Sequence, residues 1–174
     1  MATDASVRPR ELLDFDLGNT AAGYWVAVLR VVTGYWFLQS GLGKLLAAEP
    51  FDATGWLVNG TQGSPVHGFF AWVGGTPWLM EVVNVAVPVG ETLIGLGLLL
   101  GALVRLASLF GAFLMTWFYL GNAEWGHGLV NGDLFGLLLF VTLGLLGAGR
   151  VLGVDAYLER MEFGRTRAAK AVLG

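Results

Sequence analysis

The stretch "LRVVTGYWFLQSGLGKL", Leu29–Leu45, decides the fold. It lies within the mostly apolar run Tyr24–Leu46, long enough at 1.5 Å per residue to cross the ~30 Å hydrocarbon core of a bilayer. Yet Arg30 and Lys44 sit near its two ends, with Gln39 and Ser40 between them. A cation in hydrocarbon is costly and is rarely kept without a partner or a task.

The rest of the chain has the same character. Its 174 residues are 55% hydrophobic and 13% charged, with a mean hydropathy of +0.66. An ordinary soluble domain is about 25% charged. Three further segments are long and apolar enough to span, at about 78–103, 105–122 and 130–150. The fold class is therefore an all-α integral membrane four-helix bundle. Residues 1–20 form a cytoplasmic N-terminal segment without a signal peptide's apolar core, and 21–153 form the transmembrane domain. Residues 154–174 form an amphipathic, basic helix on the cytoplasmic leaflet, with Asp155 as its N-cap.

Outside the first span, Lys and Arg fall on one side of this layout, and loops 47–77 and 123–129 carry neither. Basic flanks mark the cytoplasmic face, so both termini are placed inside a multi-pass cell-membrane protein. Membrane lipid is the first partner. A net charge of -3 and no basic stripe outside the tail exclude nucleic acid. The long outer loop 47–77 is rich in aromatics, Gly and Pro, and reads as a short amphipathic or re-entrant element over the outer mouth. Asn59 opens an Asn-Gly-Thr sequon there, a candidate glycosylation acceptor.

Residues three or four apart share a helix face. Arg30, Gly34, Phe37, Gly41 and Lys44 form one stripe in the first span, and Glu81, Asn84, Pro88, Glu91 and Gly95 form another in the second. Ionisable and small residues together mark a seam between packed helices. With helix ends set flush, Arg30 lies about 10 Å and Glu91 about 18 Å above the inner end. Two pairs are expected, Arg30–Glu91 inside and Lys44–Glu81 outside, either catalytic or fixing the packing. A third polar cluster surrounds the turn "GNAEWGHGLVNGD": Asn122, Glu124, His127, Asn131 and Asp133. Its spacing matches no metal-ligand motif.

The stretch quoted first, together with "VGETLIGLGLLLGALVRLAS" and "GAGRVLGVD", resembles the helix signatures of the DoxX/DoxD family over roughly 24–155. The loop "SPVHGFFAWV" is more similar to the DoxD branch, the small subunit of thiosulfate:quinone oxidoreductase. The resemblance implies a membrane subunit linked to quinone-coupled redox chemistry. Arg30, Gln39 and Asn84 would then donate to quinone carbonyls, Gln39 and Asn84 as cofactor contacts, and Glu91 would deliver protons. Quinone is the one cofactor implied; no cysteine, haem motif, flavin or nucleotide loop or metal motif is present. Glu49, Asp52, Glu124 and Asp133 give the outer surface a sign that repels a thiosulfate dianion. A second redox subunit, in the membrane or on the outer face, would supply the missing centre. The alternative is a non-catalytic anchor or assembly partner of a redox enzyme. A transporter is a third option; four helices would have to form a homodimer to make a pathway.

Overall fold

The computed structural model describes residues 20–122, 129–162, 164 and 166–174, and these residues are helical with no strand. The elements are α1 (Thr20–Leu45), a π-helical turn (Trp56–Gly60), α2 (His67–Gly74), α3 (Pro77–Leu100), α4 (Val104–Gly121) and α5 (Gly132–Leu146). A 3-10 turn (Ala148–Arg150), α6 (Asp155–Leu158) and α7 (Arg167–Val172) follow. Within α1, Ala21–Leu45 is long and apolar enough to cross a membrane, as are α3 and α4; α5 is a shorter apolar helix of 15 residues.

Local chemistry sets the boundaries. α3 begins with Pro77 in its first turn, where the missing N–H costs no bond. It ends at Gly101, whose φ of +65° suits glycine and whose N–H returns to the last turn. Asn131 caps α5 by accepting the Leu134 N–H at 3.0 Å. Inside α3, Pro88 removes one backbone donor, and the Thr92 hydroxyl folds back onto the Pro88 carbonyl at 2.8 Å.

α1 packs along α3 and α4 along α5, while α3 and α4 join the two pairs. Phe37 and Phe140 meet edge to face at 4.6 Å in the core they share with Ile94, Leu98 and Met115. The α1–α3 contact is the closest. A Cβ at Gly34 would lie 2.8 Å from Leu99 N, and one at Gly41 would lie 2.8 Å from the Pro88 carbonyl. One at Gly95 would lie 2.6 Å from Leu38 Cα. Three glycines thus let the two backbones touch, which is how membrane helices gain dispersion energy without a hydrophobic driving force.

Loop 47–77 folds into the π-helical turn and α2, over a second core of Ala53, Leu57, Phe70, Val73 and Met80. At the opposite end the structure departs from the single amphipathic helix expected for 154–174. Two short helices form instead, α7 lies against α4, and Leu173 is 1% exposed. Asp155 is the first residue of α6 rather than its cap. Its carboxylate accepts the N–H groups of Leu103 at 2.8 Å and Val104 at 2.9 Å, capping α4 across the chain.

Candidate functional site, a polar seam and an apolar groove

The backbone contact at the three glycines fixes the register. Residue 34 stands level with 95–99, and residue 41 with 88–92. Residue 44 therefore falls within a turn of Glu91, and residue 30 falls level with Gly101. Glu81 lies beyond the end of α1. The flush alignment assumed from sequence misplaces α3 by about 6 Å along the seam.

Both expected pairs are replaced for this reason. Lys44 Nζ donates to Glu91 Oε2 at 2.5 Å and to Ser40 Oγ at 2.7 Å, and it sits 5.7 Å from the centre of the Phe51 ring. Glu91 is 3% exposed and the Lys44 side chain 26%, so the lysine leads from the seam towards the exposed C-terminal end of α1. Glu81 is exposed. Arg30 is buried and points inward: Nη1 donates to the carbonyls of Ala148 (2.8 Å) and Val151 (3.0 Å), and Nη2 to that of Leu152 (3.2 Å). It also interacts electrostatically with the fully buried Asp155. Its Nε has no hydrogen-bond partner among the described residues.

The other expected residues have different work. Asn84 accepts the Ala53 N–H at 3.0 Å and reaches Asp52 at 3.5 Å, pinning the start of the outer loop to α3. Asp52 is held below the usual carboxylate range, chiefly by the Thr54 hydroxyl donating to it at 2.6 Å. Gln39 is exposed on the face of α1 away from α3. Asn122 accepts from Trp56 Nε1 at 2.9 Å and donates to Asp133 at 2.8 Å, tying the π-helical turn to α4 and α5. Asn59 is exposed in the π-helical turn. Glu124 and His127 lie outside the described residues.

The ion pair makes an asymmetric expectation. Lys44→Met strands a carboxylate in the seam and should cost about 2 kcal/mol, less than the ~3–5 of a fully buried pair because Lys44 is part-exposed. Glu91→Gln leaves Lys44 free to reach the interface, and about 1 kcal/mol is expected. Detergent-titration unfolding of both single variants and the double variant checks this. Additive losses would mean the two side chains do not act together.

A second feature lies on the other side of α3. A groove of about 680 Å3 runs between α3 and α4 and is covered at its outer end by α2. Val82, Ala86, Gly90 and Leu93 line one wall, and Phe110, Phe113 and Trp117 the other. Phe69 of α2 stacks on Trp117 with centroids 5.3 Å apart and an interplanar angle of 21°. Its size falls within the ~300–1,000 Å3 of ligand sites, and its walls are apolar and aromatic. None of Arg30, Gln39, Asn84 and Glu91 lines it. Both halves of this arrangement, seam and groove, lie between α1 and α4.

The DoxX family model matches residues 25–120, more than half of the chain and nearly all of α1 through α4. The chain belongs to the DoxX family. No curated protein and no solved structure matches it. For a DoxX protein, the match covers both the charged seam and the aromatic groove, and leaves α5 and the C-terminal segment outside.

The sequence reading missed the groove, although its signal was present. Phe110, Phe113 and Trp117 recur at steps of three and four along α4, and Val82, Ala86, Gly90 and Leu93 along α3. Asp155 was visible only as a local cap, because its partners lie about fifty residues away.

Proposed function

We propose that this DoxX protein is a membrane subunit that holds the isoprenoid chain of a quinone in the α3–α4 groove, serving quinone-coupled redox chemistry. The observation that carries the reading is the groove itself: long apolar walls, stacked aromatics at the outer end and a helical cover. An isoprenoid chain fits apolar walls, and a quinone ring fits against the Phe69–Trp117 stack. Bound there, the quinone would supply two-electron, two-proton chemistry. The donors first assigned to its carbonyls are occupied elsewhere or face away, so the chain's own contribution is to bind and orient. A partner subunit would carry electrons to the site, and a DoxD-like association with a sulfur donor is one form of this reading.

In this proposal α5 is the fourth span and both termini are cytoplasmic. Arg105, Arg150, Arg160 and Lys170 flank the inner end, while 47–77 carries no cation. A second reading, a non-catalytic assembly partner, is favoured by one observation: Arg30 and Glu91 each have a structural partner.

Filling the groove tests the first reading. A Cβ at Gly90 would meet nothing within 4 Å, so Gly90→Trp can place an indole there without disturbing α1. Loss of co-purifying quinone from a folded Gly90→Trp protein is expected; quinone unchanged by this substitution would refute groove binding.

A further inference from the structure

Among the described residues, one face of α1 is left without a partner in the bundle. Val28, Val32, Tyr35, Gln39, Leu42 and Leu46 are all exposed and follow steps of 4, 3, 4, 3 and 4. That spacing is the heptad seam along which two helices pack. The stripe is apolar except for Gln39, which makes no hydrogen bond among the described residues.

Depth makes this amide unusual. Gln39 is six residues from the end of α1 at Leu45, about 9 Å at 1.5 Å per residue, within the half-thickness of a ~30 Å core. Side chains on a helix lean towards its N-terminus. Gln39 on this outer half of α1 therefore leans towards the middle of the membrane and away from the nearer interface. Unsatisfied polar groups in hydrocarbon cost several kcal/mol.

Its chemistry identifies the occupant. A carboxamide carries both donors and an acceptor, so it is complementary to a second carboxamide. About a two-fold axis along the membrane normal, each stripe residue meets its own copy, and Gln39 meets Gln39 of the partner. Lipid acyl chains offer no such group. Gly43 lies beside the stripe, and a Cβ there would meet nothing within 4 Å, so a second helix can approach closely. A shallow groove of about 480 Å3, lined by Tyr35, Leu38, Gln39, Leu42, Gly43 and Leu46, marks the same spot.

We propose that the chain forms a parallel homodimer through this α1 stripe, with Gln39 hydrogen-bonding its own copy in the membrane. The inference does not depend on what the α3–α4 groove binds.

The protein has no cysteine, so single cysteines report contacts against a blank background. In native membranes, oxidation should cross-link chains carrying Val32→Cys or Leu42→Cys. It should leave chains carrying Phe135→Cys or Val82→Cys, exposed on α5 and α3, as monomers. Adding Gln39→Leu should weaken association about tenfold by fluorescence energy transfer in bilayers, and Gln39→Asn should largely retain it. Equal cross-linking at all four positions, none at 32 and 42, or a Gln39→Leu dimer as strong as wild type would overturn the proposal.

Discussion

Arg30→Leu is expected to lower stability in mild detergent by about 4 kcal/mol. The guanidinium satisfies carbonyls of Ala148, Val151 and Leu152, joining α1 to the turn that follows α5. Leucine fills a similar volume but leaves those acceptors bare. It also removes the buried cation whose charge acts on Asp155, 0% exposed. Each buried acceptor left unsatisfied costs about 1–3 kcal/mol. Arg30→Lys should recover less than half, because an ammonium cannot present a planar fork to carbonyls on two sides. Unfolding followed by tryptophan fluorescence would check both variants. A loss below about 1 kcal/mol for Arg30→Leu would show that the node does not hold the inner end.

Gly95→Leu is the second large expectation. The new Cβ would meet the backbone of Leu38 and the Gly34 carbonyl, neither of which can rotate away. The helices must separate, breaking the close contact that sets the register and moving Lys44 off Glu91. Overpacking costs about 1–3 kcal/mol where side chains can adjust, and here about 3 kcal/mol or more is expected. Gly90→Ala, five residues away, is the internal contrast. Its Cβ enters open space, so removing a flexible glycine from a helix interior should be neutral or stabilising by about 0.5–1 kcal/mol. Similar effects for Gly90 and Gly95 would contradict the close-contact explanation.

These two sites also show how far the sequence could be read. Steps of three and four placed Arg30, Gly34, Phe37 and Gly41 on one face, and all four are buried against neighbouring elements. The same reading placed Pro88, Glu91 and Gly95 inward, and they too are buried. Periodicity reports a face and is silent on sliding along it. The slide was set by backbone contact at glycines, a property of two helices together. For that reason most members of the seam were legible, Glu81 being the exception, and their pairing was not. Arg30 was read as seeking a carboxylate, whereas the nearest acceptors were carbonyls of a turn about 120 residues away. The C-terminal segment was read from amphipathicity alone, which carried no sign of the contact its start makes with α4 or of its division into α6 and α7.

The most direct measurement is quinone content, by organic extraction and mass spectrometry of gently purified wild-type and Gly90→Trp protein, with phospholipid quantified in the same extract. The expected result is near-stoichiometric quinone in wild type, lost in Gly90→Trp while unfolding and gel filtration match wild type. Phospholipid alone in the wild-type extract, displaced by the indole, would contradict the quinone reading and leave the groove as a lipid site. Quinone absent from wild type, or equal in both proteins, would contradict the groove as a quinone site and leave a DoxX bundle whose charges serve packing.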